Sequence, residues 1–239
     1  MNNSTKLIAG AFSLSMLFSS CSGLDCVSGS GRQVSQNRDV GTFTSVETSG
    51  SMKVILKQGS VSSLRITADD NILKNIETSV RNGKLVIDPE GNFCNTGPIS
   101  VYLTSREYEA IHASGAVELL SEGKLTVGDF DLDLSGSSKV VLDLNAADVS
   151  TSSSGASEII LAGQARSHEL DLSGSSSVKA LDFVVGKYRI ESSGSSNSQI
   201  NVLNELSISS SGSSDVQYRG NPSSIHKSES GASSLRKIN

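Results

Sequence analysis

The chain has 239 residues and a formal net charge of −5, with 20 Lys and Arg against 25 Asp and Glu. Its basic residues form no stripe along the sequence, whereas nucleic-acid binding requires one. Trp is absent and aromatic residues make up only 4% of the chain. Composition therefore excludes a nucleic-acid-binding protein. It also argues against a sugar-cleaving groove, which needs aromatic side chains that stack on the sugar rings and a catalytic carboxylic acid in apolar surroundings.

Residues 1–20 have the character of a bacterial secretory signal. The apolar run 7–18 follows Lys6 and is too short to cross a bilayer of about 30 Å as a permanent helix. Two serines precede Cys21, a pattern that resembles a lipobox, in which this cysteine becomes the lipid-modified N-terminus. The alternative is an ordinary signal peptide with an incidental cysteine. We expect a lipoprotein of the outer membrane, held there by its lipid anchor, facing either the periplasm or the cell surface.

Residues 21–40 are polar and rich in Gly and Ser, which predicts a flexible tether. Once Cys21 is lipidated, Cys26 and Cys94 remain in a compartment that permits disulfides. A bridge would tie the tether to the first coils of the domain. The sequence leaves open whether these two cysteines pair.

Residues 41–104 predict less regular strands at the start of a domain that extends over 41–239. Alternating apolar residues place strands at 43–48, 51–58, 63–68, 84–88 and 99–104. Between them, Ile72, Leu73, Ile76 and Val80 have helical spacing. This spacing predicts a helix over 69–81 that covers the first open sheet edge.

Residues 105–239 repeat the phrase Ser-Gly-(Ser/Ala) at intervals of 18 to 21 residues. So regular a period is typical of a solenoid, in which each repeat is one coil and needs its neighbours to bury its apolar face. We expect each glycine to mark a sharp turn, because glycine adopts a positive φ without strain. The turn glycines are Gly115, Gly136, Gly155, Gly174, Gly194, Gly212 and Gly231.

Apolar residues alternate with polar ones on both sides of each glycine, so each coil carries two strands. About 19 residues accommodate two strands of five or six residues and two corners. The sequence thus predicts an all-β, single-domain parallel β-helix with two main parallel sheets joined by Ser-Gly-Ser turns. Leucine-rich and calcium-binding nonapeptide repeats need sequence frames that this chain lacks.

A serine occurs two residues after each of the last six glycines. If these hydroxyls point inward they must bond one another in a ladder, because an unpaired buried hydroxyl costs about 1–3 kcal/mol. The alternative, a row of solvated turn serines, is equally open. The serines are Ser138, Ser157, Ser176, Ser196, Ser214 and Ser233.

Several segments resemble a known bacterial family. They are Phe-Thr-Ser-Val-Glu-Thr-Ser-Gly-Ser at 43–51, Asp-Asp-Asn-Ile-Leu at 69–73, Asn-Gly-Lys-Leu-Val-Ile at 82–87 and the Gly-Ser repeats after them. In this order they resemble the "putative autotransporter adhesin head, GIN domain" family of Bacteroidetes lipoproteins, over about residues 40–239. The resemblance implies a β-helix shaped like pectin lyases without their catalytic residues, and a role in adhesion.

One charged patch on the outward face of the repeats is a candidate ligand site, formed by Asp133, Asp171, Arg189 and Glu191. Asp171 and Glu191 should lie on adjacent coils about 4.8 Å apart, close to the carboxyl separation of about 5–5.5 Å in retaining glycosidases. A solvated charged face, a divalent-ion or ligand patch, and a catalytic pair are the three interpretations. We expect no catalytic residue, metal site or cofactor. His168, in an apolar column, is expected to be a packed core residue.

The sequence therefore predicts a non-enzymatic surface or envelope lipoprotein that acts as an adhesion module, with a host or cell-surface protein or glycan as its partner. The alternatives are a carbohydrate-active enzyme of pectin-lyase-like shape and a periplasmic envelope scaffold. The sequence does not indicate the oligomeric state.

Overall fold

The computed structural model describes residues 26–239. The predicted signal at 1–20 and the predicted lipid-attachment residue Cys21 lie outside the described residues. From Cys26 onward the chain is almost entirely β-strand, wound into a parallel solenoid. The predicted fold, an all-β single-domain parallel β-helix, is confirmed.

The strands differ in length because those of the repeats bend and continue through the corners. They are β1 (Val27–Ser28), β2 (Gln33–Arg38), β3 (Ser45–Thr48), β4 (Ser51–Gln58), β5 (Ser63–Asp69), β6 (Ile76–Arg81), β7 (Lys84–Pro89), β8 (Phe93–Cys94), β9 (Ser100–Ser105), β10 (Ala110–Thr126), β11 (Phe130–Gly136), β12 (Lys139–Gly155), β13 (Glu158–Gly174), β14 (Ser177–Arg219), β15 (Ser224–Gly231) and β16 (Ser234–Lys237).

The core lies inside the coils, where the alternation of the sequence places every second side chain. The coil around Gly136 shows the pattern, since buried apolar side chains alternate with more exposed ones on both sides of the glycine. The buried ones are Phe130, Leu132, Leu134, Val140, Leu142 and Leu144.

Successive coils are stacked residue on residue. β12 pairs in parallel with β13 from Lys139 opposite Glu158 to Gly155 opposite Gly174, so each residue faces the one 19 positions later. The hydrogen-bond ladder follows the chain around its corners, and 14 strands belong to one continuous sheet. The two predicted sheets are therefore two faces of a single bent ladder.

The helix predicted over 69–81 is wrong. Only Leu73–Asn75 form a short 3₁₀ turn, and β6 then runs antiparallel to β7. Asn82 and Gly83 connect these strands with φ values of 51° and 75°, as a two-residue Asn-Gly hairpin turn requires. This local turn and the β-branched residues of β6 outweigh the helical spacing of the apolar residues.

From Cys26 onward, the segment predicted as a tether at 21–40 contains the strands β1 and β2. β2 pairs antiparallel with β5 along its whole length, from Gln33 opposite Asp69 to Arg38 opposite Leu64. The guanidinium of Arg38 donates to the carbonyl of Leu73 at 3.0 Å. The N-terminal arm is thus a structural part of the domain.

Both ends of the solenoid carry devices that protect open sheet edges. At the N-terminal end, the antiparallel strands β2 and β6 lie beside the first coils. At the C-terminal end, Lys227 and Glu229 take the inward positions of the last coil and form an ion pair of 2.7 Å. Within residues 26–239, no helix is long and apolar enough to traverse a lipid bilayer.

Candidate functional site

The turn glycines form a file along the solenoid, which we call the glycine seam: Gly50 and the seven turn glycines named above. Their φ values lie between +85° and +131°, where only glycine is unstrained. A Cβ added to any glycine of this seam from Gly115 onward would lie closer than 3 Å to the carbonyl oxygen of the seam glycine one coil earlier. Each turn therefore requires glycine for two reasons: its backbone has a positive φ, and the neighbouring coil leaves no room for a side chain.

The serine column after the seam is buried in five of its six members. Ser138, Ser157, Ser176, Ser196 and Ser214 are buried, whereas Ser233 in the last coil is partly exposed. These serines therefore lie in the core and not in a solvated row, but among the described residues the one hydrogen bond within the column joins Ser196 and Ser214, at 3.3 Å.

The ladder is completed by serines two residues before the glycines, which the sequence analysis missed. Ser192 Oγ lies 2.6 Å from Ser196 Oγ and 2.8 Å from Ser214 Oγ. Ser153 and Ser210 contact Ser176 and Ser233 in the same way, at 3.1 and 2.6 Å. These hydroxyls satisfy one another across coils.

The ladder has gaps, because a leucine or an alanine can replace the serine before the glycine. Leu134 occupies this position one coil before Ser157 and Ala113 occupies it one coil before Ser138, and the Oγ atoms of Ser138 and Ser157 have no hydrogen-bond partner among the described residues. An alignment of the residues two positions before each of the seven turn glycines shows Ser at three coils, Leu at two, and Ala and Glu at one each, and it would have identified the serines that complete the ladder.

A groove of about 710 Å³ runs along the solenoid on the N-terminal side of the glycine seam. Its lining comes from the same positions in every coil, one to three residues before the glycine. It includes Asp133, Asp171 and Glu191 of the predicted charged patch, and it extends from Glu47 to Ser230. Since the lining repeats coil by coil, the groove runs parallel to the solenoid axis.

Exposed serine hydroxyls form one row of this lining. Directly before the glycines stand Ser114, Ser135, Ser154, Ser173, Ser193, Ser211 and Ser230. A hydroxyl can donate one hydrogen bond and accept two. The row offers a ligand the same polar contact once in every coil.

The positions three residues before the glycines form the second row, and four of these eight positions are carboxylates: Glu47, Asp133, Asp171 and Glu191. Arg189, the fourth member of the charged patch, lies beside the groove, where it contacts Glu169 at 3.1 Å and forms an ion pair with Glu191. Within the groove, His112 Nδ1 lies 2.8 Å from Asp133 Oδ2. The charged patch is thus a set of ion pairs and hydrogen bonds that extends along the solenoid axis.

Asp171 is the carboxylate of this row with the least favourable surroundings. It faces Glu191 across adjacent coils. Partial burial raises the pKa of Asp171, the charges of Glu191 and Glu169 raise it further, and Arg189 opposes them. A ligand that donates hydrogen bonds or carries positive charge would relieve this repulsion.

The groove lacks the features of a metal or nucleophilic site in the part of the chain that the structure describes. No group of three or more His, Cys, Asp or Glu residues is arranged to hold a metal ion there. His168 is fully buried, with its ring nitrogens 3.1 Å from Tyr188 Oη and 3.0 Å from Thr151 Oγ1. Burial lowers the pKa of His168 to about 3, which fits a neutral core residue.

Cys26 and Cys94 form a disulfide with a Cα–Cα distance of 5.8 Å. The bond lies beside the pairing of β1 with β8 and joins the N-terminal arm to the first coils. The side chain of Asp69 reinforces this junction by accepting hydrogen bonds from Gln33 Nε2 at 2.6 Å and the backbone amide of Gly97 at 3.2 Å.

Comparison with known proteins finds one matching family and several solved structures of the same fold. A family model described as "Putative auto-transporter adhesin, head GIN domain" matches residues 42–222. No curated protein matches the chain.

Several solved structures share the fold. A putative adhesin from Bacteroides fragilis has a TM-score of 0.82 and 19% sequence identity, covering 89% of this chain and 100% of its own. A putative adhesin from Parabacteroides merdae has a TM-score of 0.71 and 17% identity, covering 90% and 100%. A protein from Parabacteroides distasonis named "putative lipid binding protein" has a TM-score of 0.69 and 17% identity, covering 89% and 99%.

Proposed function

The chain belongs to the "Putative auto-transporter adhesin, head GIN domain" family, and on this basis we propose that it is a non-enzymatic adhesion module of the bacterial cell surface or envelope. The family description and the structures named as adhesins support this role. The proposed binding surface is the groove beside the glycine seam.

The repetition of the groove lining is the observation that carries the proposal. Seven consecutive coils present an exposed serine hydroxyl at the same position of the groove. Adhesion benefits from many weak contacts in one direction, because contacts made by linked groups reinforce one another. A rigid row of short side chains also loses little conformational entropy when a ligand binds.

Two matched double variants test this role. Ser154 and Ser173 face each other on adjacent coils in the groove, so Ser154→Leu/Ser173→Leu, the groove variant, removes two hydroxyls and narrows the groove. Ala156 and Ser175, equally exposed, flank the same glycines on the opposite side of the seam, so Ala156→Leu/Ser175→Leu, the control variant, adds similar bulk outside the groove.

We expect purified protein to bind immobilised mucin, extracellular matrix or intact cells in a direct binding assay. The groove variant should lose most of this binding and the control variant should retain it, while both unfold at the same temperature. Wild-type protein that binds none of these surfaces, or equal binding by both variants, contradicts the proposal.

We further propose that a lipid on Cys21 attaches the protein to the outer membrane. The sequence pattern before this cysteine supports the attachment, and N-terminal lipidation supplies the acyl chains that stable anchoring needs. Protease treatment of intact cells separates a surface adhesin from a periplasmic scaffold. Cleavage supports an adhesin, and protection until the outer membrane is permeabilised supports the scaffold.

A carbohydrate-active enzyme is the second candidate, favoured by the raised pKa of Asp171 next to Glu191. The ion pair between Glu191 and Arg189 and the solvent exposure of both carboxylates argue against it, because a catalytic acid needs a more apolar wall. Turnover of a polysaccharide that disappears in Asp171→Asn would establish the enzyme and replace the adhesin.

A further inference from the structure

We infer that the ligand of the groove is a linear, uncharged, hydroxyl-rich polymer, a neutral glycan chain, that lies along the solenoid axis and contacts each coil in turn. This inference rests on the proposed function and specifies its ligand class. It is supported by the length, charge and hydrogen-bonding chemistry of the groove.

The length of the groove favours a polymer. Its lining begins at Glu47 and ends at Ser230, which spans eight glycines of the seam. Seven steps between coils, at about 4.8 Å each, give roughly 34 Å. A monosaccharide or another small molecule would fill only a fraction of this length, whereas an extended chain can contact every coil.

The charges of the groove argue against an anionic chain. Glu47, Asp133, Asp171, Glu191 and Glu229 line the groove, so an acidic or sulfated polysaccharide would bring like charges together without gaining a counter-charge.

A cationic chain is disfavoured as well, because basic side chains already pair with three of these five carboxylates. Lys84 contacts Glu47 at 3.0 Å and Lys227 contacts Glu229 at 2.7 Å, in addition to the pair of Arg189 with Glu191. A cationic ligand would have to displace these three side chains, and its main gain would be at Asp171 alone. Hydrogen bonding therefore remains as the main means of recognition.

The two rows of the groove provide that hydrogen bonding in complementary form. Serine hydroxyls both donate and accept, and carboxylates accept strongly from hydroxyl groups. Sugar hydroxyls likewise donate and accept, so successive sugar units can use both rows. Asp171, which faces a like charge on the next coil, would gain donors that offset this repulsion.

The same chemistry predicts how affinity depends on chain length. Each added sugar unit reaches a new coil with the same contacts, so binding should tighten with length until the groove is filled. A ligand that occupies a single local site would show no such dependence.

The test measures binding of the full-length protein by isothermal titration calorimetry to neutral cello-, xylo-, manno- and malto-oligosaccharides of two to eight units. Polygalacturonate and chitosan oligomers serve as anionic and cationic probes. We expect at least one neutral series to bind, with Kd falling at least tenfold between two and six units and continuing to fall as the chain approaches the length of the groove. The groove variant should weaken this binding at least tenfold and the control variant less than twofold.

Several results would overturn the inference. They are failure of all four neutral series to bind, affinity that does not change with length, binding of polygalacturonate or chitosan in preference to the neutral chains, and binding that is lost when EDTA removes divalent ions. Each leaves the proposed function standing if the groove variant still loses adhesion to mucin, matrix or cells. Unchanged adhesion of the groove variant refutes the proposed function itself.

Discussion

Ser198 occupies a column of the core that is otherwise apolar. Val178 takes the same position one coil earlier and Val216 one coil later, and both are buried. Ser198 is only 1% exposed, and its Oγ has no hydrogen-bond partner among the described residues. An unpaired buried hydroxyl costs about 1–3 kcal/mol of stability. Removal of this hydroxyl should therefore stabilise the protein, which is unusual for a substitution in a packed core.

Two substitutions separate the cost of the unpaired hydroxyl from the gain of filling the core. Ser198→Ala removes the hydroxyl and adds no bulk, and we expect the free energy of unfolding to rise by about 1 kcal/mol. Ser198→Val also restores the column of valines, and each buried methylene equivalent adds about 0.8 kcal/mol. Crowding offsets part of this gain, so we expect a net increase of about 1–3 kcal/mol. For a domain of this size, each kcal/mol raises Tm by about 2–4 °C.

Urea unfolding measures these effects, provided that the m-value stays constant across the variants. Ser196→Ala is the matched control, because Ser196 is also buried but its hydroxyl contacts Ser192 and Ser214. We expect Ser196→Ala to destabilise the protein by about 1 kcal/mol. If Ser198→Ala destabilises the protein equally, the Ser198 hydroxyl is hydrogen-bonded in solution and the reasoning is refuted.

Three further predictions follow from the seam, the disulfide and the buried histidine. Gly136→Ala, at a φ of +99° and with a Cβ 2.5 Å from the carbonyl oxygen of Gly115, should prevent stacking of one coil and cost several kcal/mol, whereas Gly123→Ala, at a φ of +83° with nothing within 4 Å, should cost about 1–3 kcal/mol. Urea unfolding compares the two, and equal losses would refute the role of close approach. Cys94→Ser opens the link to Cys26, and loss of a loop this long should cost about 4 kcal/mol; unfolding with and without a reductant measures it, and an unchanged midpoint contradicts it. The pKa of His168 is about 3 in the folded protein against an ordinary value of about 6.5. Below pH 6.5 the unfolded chain therefore binds a proton that the folded chain does not, and stability should fall by up to about 1.4 kcal/mol per pH unit toward pH 3. Thermal unfolding between pH 7 and 5 should show this slope in wild type and a smaller one in His168→Leu, and equal slopes would assign the dependence to other groups.

The repeats of the chain were predictable because one physical requirement recurs in each of them. A glycine such as Gly155 has no alternative, since any side chain would collide with the coil before it. The side-chain direction of Ser176 was not predictable, because serine is stable both in a solvated turn and in a hydrogen-bonded core. Its partner Ser153 belongs to a column in which Leu is also found.

The N-terminal part was less predictable because it contains no repeats whose equivalent positions can be compared. The Asn82-Gly83 dipeptide was a usable hairpin signal, and the helical spacing of nearby apolar residues obscured it. The distance between Cys26 and Cys94 depends on how the arm folds back on β5, which composition does not reveal. The groove, finally, is a property of stacked coils, and the positions of Asp171 and Glu191 in one repeat contain no information about its depth.

The glycine seam has a consequence for how this protein can evolve. Each coil contacts the next through the same backbone surface, so duplication or deletion of a 19-residue unit, such as residues 156–174, joins two compatible turns. Such an event changes the length of the solenoid by one whole coil, and the contacts between the remaining coils are kept. Selection can thus adjust the length of this protein by copying coils, while single substitutions in the seam remain intolerable.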